Sequence, residues 1–129
     1  MNPTNFQVLV IDDDQWIVES TAMVLEAAGL SAATARSGER GIELAQQEQP
    51  GVILLDIMMP GLDGWETLDA LKTNEATREI PVVIFSARDL DGGSSVSRVR
   101  GADSFLRKPF EPEKLLQLVR RHLKVPEPA

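Results

Sequence analysis

Four polar stations in this chain of 129 residues stand at the ends of short apolar runs. Asp12-Asp13-Asp14 follows Val8 to Ile11, Asp56 follows Val52 to Leu55, Ser86 follows Val82 to Phe85, and Lys108 comes shortly after Ser104 to Leu106. Brought side by side, these stations would crowd at least three carboxylates. Like charges so close cannot all stay ionised without a counter-charge. A divalent cation supplies one, and a donor set made only of oxygen selects Mg²⁺, with Mn²⁺ or Ca²⁺ as its rivals, over zinc. Lys108 adds a positive charge and Ser86 a hydroxyl donor. Carboxylates, cation, lysine and hydroxyl together suit a phosphoryl group, whose oxygens need that neutralisation. No glycine-rich P-loop is present, so the phosphate is not expected to belong to a cradled nucleotide.

The elements that must hold these stations alternate. Strand patterns fall at Phe6 to Ile11, Ala32 to Ala35, Val52 to Leu55, Val82 to Phe85 and Ser104 to Leu106. The first from Val8 onward, and the third and fourth throughout, are continuously apolar, as strands covered on both faces should be. Between them lie helix patterns. Ile17, Val24, Leu25 and Ala28 line the first, which Gly29 stops. Ser37 caps a second that runs to about Gln49, ahead of Pro50-Gly51. Trp65, Leu68 and Leu71 mark a third, and Leu115, Leu116, Val119 and Leu123 mark the last, with Pro112 in its first turn. A fourth helix is expected over 91–100, weakened by Gly92-Gly93-Ser94-Ser95. Five βα units in strict alternation imply a doubly wound α/β fold, an open parallel sheet with helices on both faces. Ligands bind such sheets at the carboxyl ends of the strands, which is where the four stations stand.

Composition narrows the function further. Lys plus Arg total 13 against 20 Asp plus Glu, a net charge of −7, which opposes direct nucleic-acid binding. With no cysteine, disulfide scaffolds, thiol catalysis and thiolate zinc are excluded, and one histidine makes a His-based metal site or triad improbable. The apolar runs are too short for membrane insertion, and the N-terminus lacks a signal-peptide pattern, so a cytoplasmic location is expected. One domain is expected over 6–124, with a tail at 1–5 and a tail or linker stub at 125–129.

The ordered set of motifs resembles the response-regulator receiver domain of two-component signalling, from about Phe6 to Lys124. The resemblance rests on Asp12-Asp13, on Asp56 with Met59-Pro60-Gly61 and Asp63-Gly64, on Ser86-Ala87, on Gly101-Ala102-Asp103, and on Lys108-Pro109-Phe110. It implies a flavodoxin-like (βα)5 sheet of strand order 2-1-3-4-5. It also implies that Asp56 is the phosphoacceptor, taking its phosphoryl group from a sensor histidine kinase or a histidine phosphotransfer protein. Asp13 and Asp56 would ligate Mg²⁺ with the Met58 carbonyl, Asp12 acting mostly through water. Lys108 and the Ala87 N–H would hold the phosphoryl oxygens, Ser86 would move to bond one of them, and Phe105 would turn inward behind it. The surface so switched, around the fourth helix, the fifth strand and the last helix, would meet an unknown downstream protein. Such a chain is a signalling switch that catalyses only its own phosphorylation and dephosphorylation. The Lys108–Pro109 bond is expected to be cis, because a tight turn there would aim the Lys108 amine back into the crevice.

The chain departs from the family at Gly51, where an acidic residue is usual, and at Phe105, which lacks the hydroxyl of the common tyrosine. Taken alone, Asp12-Asp13-Asp14 reads as a helix cap, Met58 and Met59 as packing residues, and His122 as a helix-end residue without function. Asp89-Leu90-Asp91 lacks the later ligands of a calcium loop. A rival of another class is a haloacid-dehalogenase-like phosphohydrolase using Asp12 as nucleophile. It needs a further acidic motif after the lysine, and it leaves Asp56 without a purpose.

Overall fold

The computed structural model describes residues 6–57, 64–86 and 101–123. Within them the chain runs β1 (Val8–Ile11), α1 (Gln15–Ala27), β2 (Ala32–Ala35), α2 (Gly38–Glu48), β3 (Val52–Asp56), α3 (Gly64–Thr73), β4 (Val82–Ser86), β5 (Ser104–Arg107) and α4 (Pro112–Leu123). All strand pairs are parallel, and the sheet order is β2-β1-β3-β4-β5. The helix expected over 91–100 lies outside the described residues.

Side chains on a strand alternate between faces, and that alternation sorts the two halves of the core. Leu9, Ile11, Ile53, Leu55, Val82 and Ile84 pack toward Ala45 of α2 and Leu68 and Leu71 of α3. Val8, Val10, Val52, Leu54, Val83 and Phe85 pack toward Val18 and Leu25 of α1 and Leu115 and Val119 of α4. The continuous apolar runs therefore serve two cores at once. In α1 the buried line is Val18, Thr21 and Leu25, so Ile17 and Val24 sit at its margins.

The caps follow their residue types. The Ser37 hydroxyl accepts the Arg40 N–H at 3.1 Å to open α2, which ends one residue earlier than expected because Gln49 turns left-handed at φ 50°. Gly29, at φ 85°, ends α1 with its N–H on the Glu26 carbonyl and the Leu30 N–H on that of Leu25. Strand boundaries differ from the sequence reading in an informative way. β1 starts at Val8, because the Gln7 backbone is engaged with Ser31, Gly51 and Val52 outside the ladder. β3, β4 and β5 each run one residue further, so that Asp56 pairs with Phe85 and Ser86 with Arg107. Asp56 and Ser86 are thus held in the last rungs of the sheet, not in the loops after it.

The candidate phosphoacceptor site

Strand order reverses between β1 and β3, and the carboxylates gather at their carboxyl ends, where doubly wound sheets bind ligands. The acidic triplet divides its labour. The Asp14 side chain accepts the Trp16 and Ile17 N–H groups at 2.9 and 3.3 Å and caps α1. Asp12 points the other way, is 1% exposed, and accepts the Asp14 N–H at 3.0 Å on Oδ1. Asp13 is half-buried between them. One carboxylate oxygen each from Asp12, Asp13 and Asp56 lies within 4.8 Å of the others. Asp56 itself is 4% exposed.

Lys108, the residue after β5, closes the group. Its Nζ lies 2.5 Å from Asp12 Oδ2, 3.8 Å from Asp56 Oδ2, and 4.5 Å from the centre of the Phe85 ring. Its backbone N–H donates to the Ser86 carbonyl at 2.7 Å, and the bond to Pro109 is cis. Ser86 is buried at the end of β4, one residue beyond the partner of Asp56. Phe105 stands opposite Ile84 and packs, partly buried, on the α2–α3 side of the core. Met58 and Ala87 lie outside the described residues. Asp12, Asp13, Asp56 and Lys108 therefore meet, with Ser86 at the adjoining strand end and Phe105 packed in the α2–α3 half of the core.

Two contributors escape a sequence reading. Phe85 offers its ring face to Lys108, an attraction worth about 0.5–2 kcal/mol, yet in the sequence it is one more apolar residue of a strand. Arg36, just past β2, donates to the Asp13 carbonyl at 3.4 Å and the Gln15 side-chain oxygen at 3.3 Å. No signal in its neighbourhood marks it. Trp16 is 74% exposed on the first turn of α1, away from the core. His122 bonds Ser104 at 2.8 Å, on the last helix, and is no part of the site.

A model of the response regulator receiver domain matches residues 8–120. The chain belongs to that family. Protein PilG of Pseudomonas aeruginosa is 34% identical to this receiver domain over 117 residues, spanning 91% of it and 87% of PilG. Other relatives are longer, and the receiver domain spans about half their length. The Francisella response regulator 1452 receiver domain superimposes with a TM-score of 0.84 at 32% identity, over 93% of this chain and 98% of that one. The same fold, at 21% identity and a TM-score of 0.84, covers 94% of this chain and 99% of the receiver domain of Pseudomonas aeruginosa sensor histidine kinase PA1611. That structure holds a magnesium ion in its active-site cleft. Membership of the receiver family leaves the haloacid-dehalogenase reading without support. Its proposed nucleophile, Asp12, is bound to Lys108 and to a backbone N–H. No described helix is long and apolar enough to cross a membrane.

Proposed function

We propose that this receiver domain, folded over 6–124, accepts a phosphoryl group on Asp56 from a sensor histidine kinase or a histidine phosphotransfer protein in the cytoplasm. The observation that carries the reading is the convergence of Asp12, Asp13 and Asp56 within 4.8 Å, with Lys108 against two of them. The three carboxylates fit a hard divalent cation, since they offer only oxygen donors, and Asp12, Asp13 and Asp56, with the Met58 carbonyl, would hold Mg²⁺ or Mn²⁺. When bound, the cation neutralises the carboxylates and the phosphoryl oxygens together.

The chain's own residues do the rest. A carboxylate oxygen of Asp56 forms the new P–O bond as the donor's P–N bond breaks. The bonding pair stays on the imidazole nitrogen, which takes a proton from water. Lys108 follows the developing charge, having Asp56 already within 3.8 Å. Ser86 and the Ala87 N–H donate to the remaining oxygens. Drawing Ser86 toward the phosphoryl group frees space for Phe105, and the surface around β5 and α4 changes for a downstream protein. The product is a switched surface, with no other substrate turned over.

The test is incubation with acetyl phosphate and Mg²⁺, borohydride trapping, and mapping of the modified peptide. A single reduced site at Asp56 supports the reading, with no labelling after chelation. Modification at Asp12 instead would sink it.

A further inference from the structure

Arg36 sets an exposed positive charge beside the segment that carries the acidic triplet, held there by two hydrogen bonds. It follows β2 directly, and β2 is the edge strand beside β1. The Asp12 N–H donates to the Ala35 carbonyl at 3.0 Å, so Arg36 leaves the sheet next to the carboxylate group. Its side chain is exposed but oriented, with one guanidinium nitrogen on the Gln15 side-chain oxygen and the other on the Asp13 carbonyl. Gln15 is itself tied to Glu19 at 2.8 Å, which holds its oxygen toward Arg36. Both acceptors of Arg36 are neutral. Among the described residues no carboxylate forms an ion pair with Arg36, in contrast with Arg40, Lys72, Arg78 and Lys108. Asp13 connects the two parts, with its carbonyl on Arg36 and its carboxylate in the cluster.

The charge balance shows what a free cation there does. Three carboxylates, one lysine and a divalent cation sum to about zero, on a chain of net charge −7. An incoming phosphoryl donor is an anion, so at a distance it meets repulsion and at the site no net attraction. A local positive charge at the mouth reverses that for the last few ångströms of approach. We propose that Arg36 is an anion-guiding residue of the phosphorylation site, drawing the donor's phosphoryl group to Asp56. The proposal rests on the reading of Asp56 as phosphoacceptor. The reaction it assists with acetyl phosphate forms a P–O bond to Asp56 as the bond to the acetyl oxygen breaks, and acetate leaves with the electron pair.

The same charge must act on the metal with opposite sign, which separates guidance from mere support of the loop. Removing a cation from the rim slows capture of an anion but favours Mg²⁺. The experiment compares Arg36→Lys, Arg36→Gln and Arg36→Glu with the unmodified protein, by acetyl phosphate labelling rate at saturating Mg²⁺ and by a separate Mg²⁺ titration followed through tryptophan fluorescence. At low ionic strength Arg36→Gln should label about threefold more slowly and Arg36→Glu about tenfold, with Arg36→Lys near the unmodified rate. At ~0.5 M salt the differences should shrink to below about twofold. Mg²⁺ should bind about twofold tighter to Arg36→Gln and tighter again to Arg36→Glu. Weaker Mg²⁺ binding, or a slower labelling rate that salt leaves unchanged, overturns the proposal in favour of a structural role. Labelling that survives Asp56→Asn defeats the phosphoacceptor reading itself, and the Mg²⁺ titration then still decides whether Arg36 acts on the site through its charge.

Discussion

Neighbouring residues of the same type have different work in this molecule, and the difference comes from their hydrogen bonds. Asp14 spends its carboxylate on two backbone N–H groups, and Asp12 spends both oxygens, one on Lys108 and one on the Asp14 N–H. Asp13 keeps its carboxylate for the cluster. Asp13→Asn should therefore raise the Kd for Mg²⁺ by roughly tenfold or more, as expected for loss of a direct charged ligand, and Asp12→Asn by less. Equal losses in a fluorescence titration would contradict that ranking. His122, the single histidine, illustrates burial acting on charge. Desolvation lowers its pKa below 6.5, helped by Arg121 and Lys72 and opposed by Asp103. A lowered folded-state pKa means the unfolded chain binds the proton first. Its stabilising contribution is thus complete above pH 6.5 and is lost as pH falls through the folded value. An NMR titration of the imidazole should give a midpoint below the ordinary histidine value, and His122→Gln should flatten the stability profile over that window.

Elements meet at two glycines of opposite kind. Gly29 needs its backbone angle, φ 85°, and a Cβ there would meet nothing within 4 Å. Gly64 needs its smallness, because a Cβ would lie 1.9 Å from the Ile57 Cα and 2.6 Å from the Asp56 carbonyl. Its N–H also donates to the Ile57 carbonyl at 3.3 Å, tying the start of α3 to the end of β3. Gly29→Ala should cost about 1 kcal/mol, the penalty for a side chain in the left-handed region. Gly64→Ala should cost more, about 2–3 kcal/mol, since backbone and not a flexible side chain must move. It should also weaken Mg²⁺ binding, because the displaced backbone belongs to Asp56 and its neighbour, whereas Gly29→Ala should leave Mg²⁺ affinity unchanged. Urea midpoints and Mg²⁺ titrations on the two variants check both halves of the contrast.

Across the whole molecule, stability and site chemistry are coupled through crowded charge. Holding Asp12, Asp13 and Asp56 together costs free energy that Lys108 offsets only in part. A cation that binds only the folded state adds about 2.7 kcal/mol at 100 times its Kd. For a domain of this size that is a rise in Tm on the order of 10 °C. Asp56→Asn should be up to ~1 kcal/mol more stable than the unmodified protein without metal, and should lose most of the Mg²⁺ shift. A calorimetric scan of both proteins with and without Mg²⁺ measures this, and an equal shift in the two would show that the cation binds elsewhere.

The alternation of apolar runs with helix faces, and the polar residues at the run ends, settled the sheet class, the two-sided core and the gathering of the acidic triplet, Asp56 and Lys108 at one end of the sheet. These follow from local patterns, because a parallel strand buried on both faces must be continuously apolar and must place its last residue at the rim. Tertiary structure alone decided which aspartate of the triplet caps α1, since all three satisfy the cap preference equally. It also decided that Phe85 lies under the lysine and that Arg36 reaches Asp13. Those contacts join residues far apart in the chain, and their geometry depends on the sheet's order and on how neighbouring strand ends are juxtaposed, which no local pattern encodes.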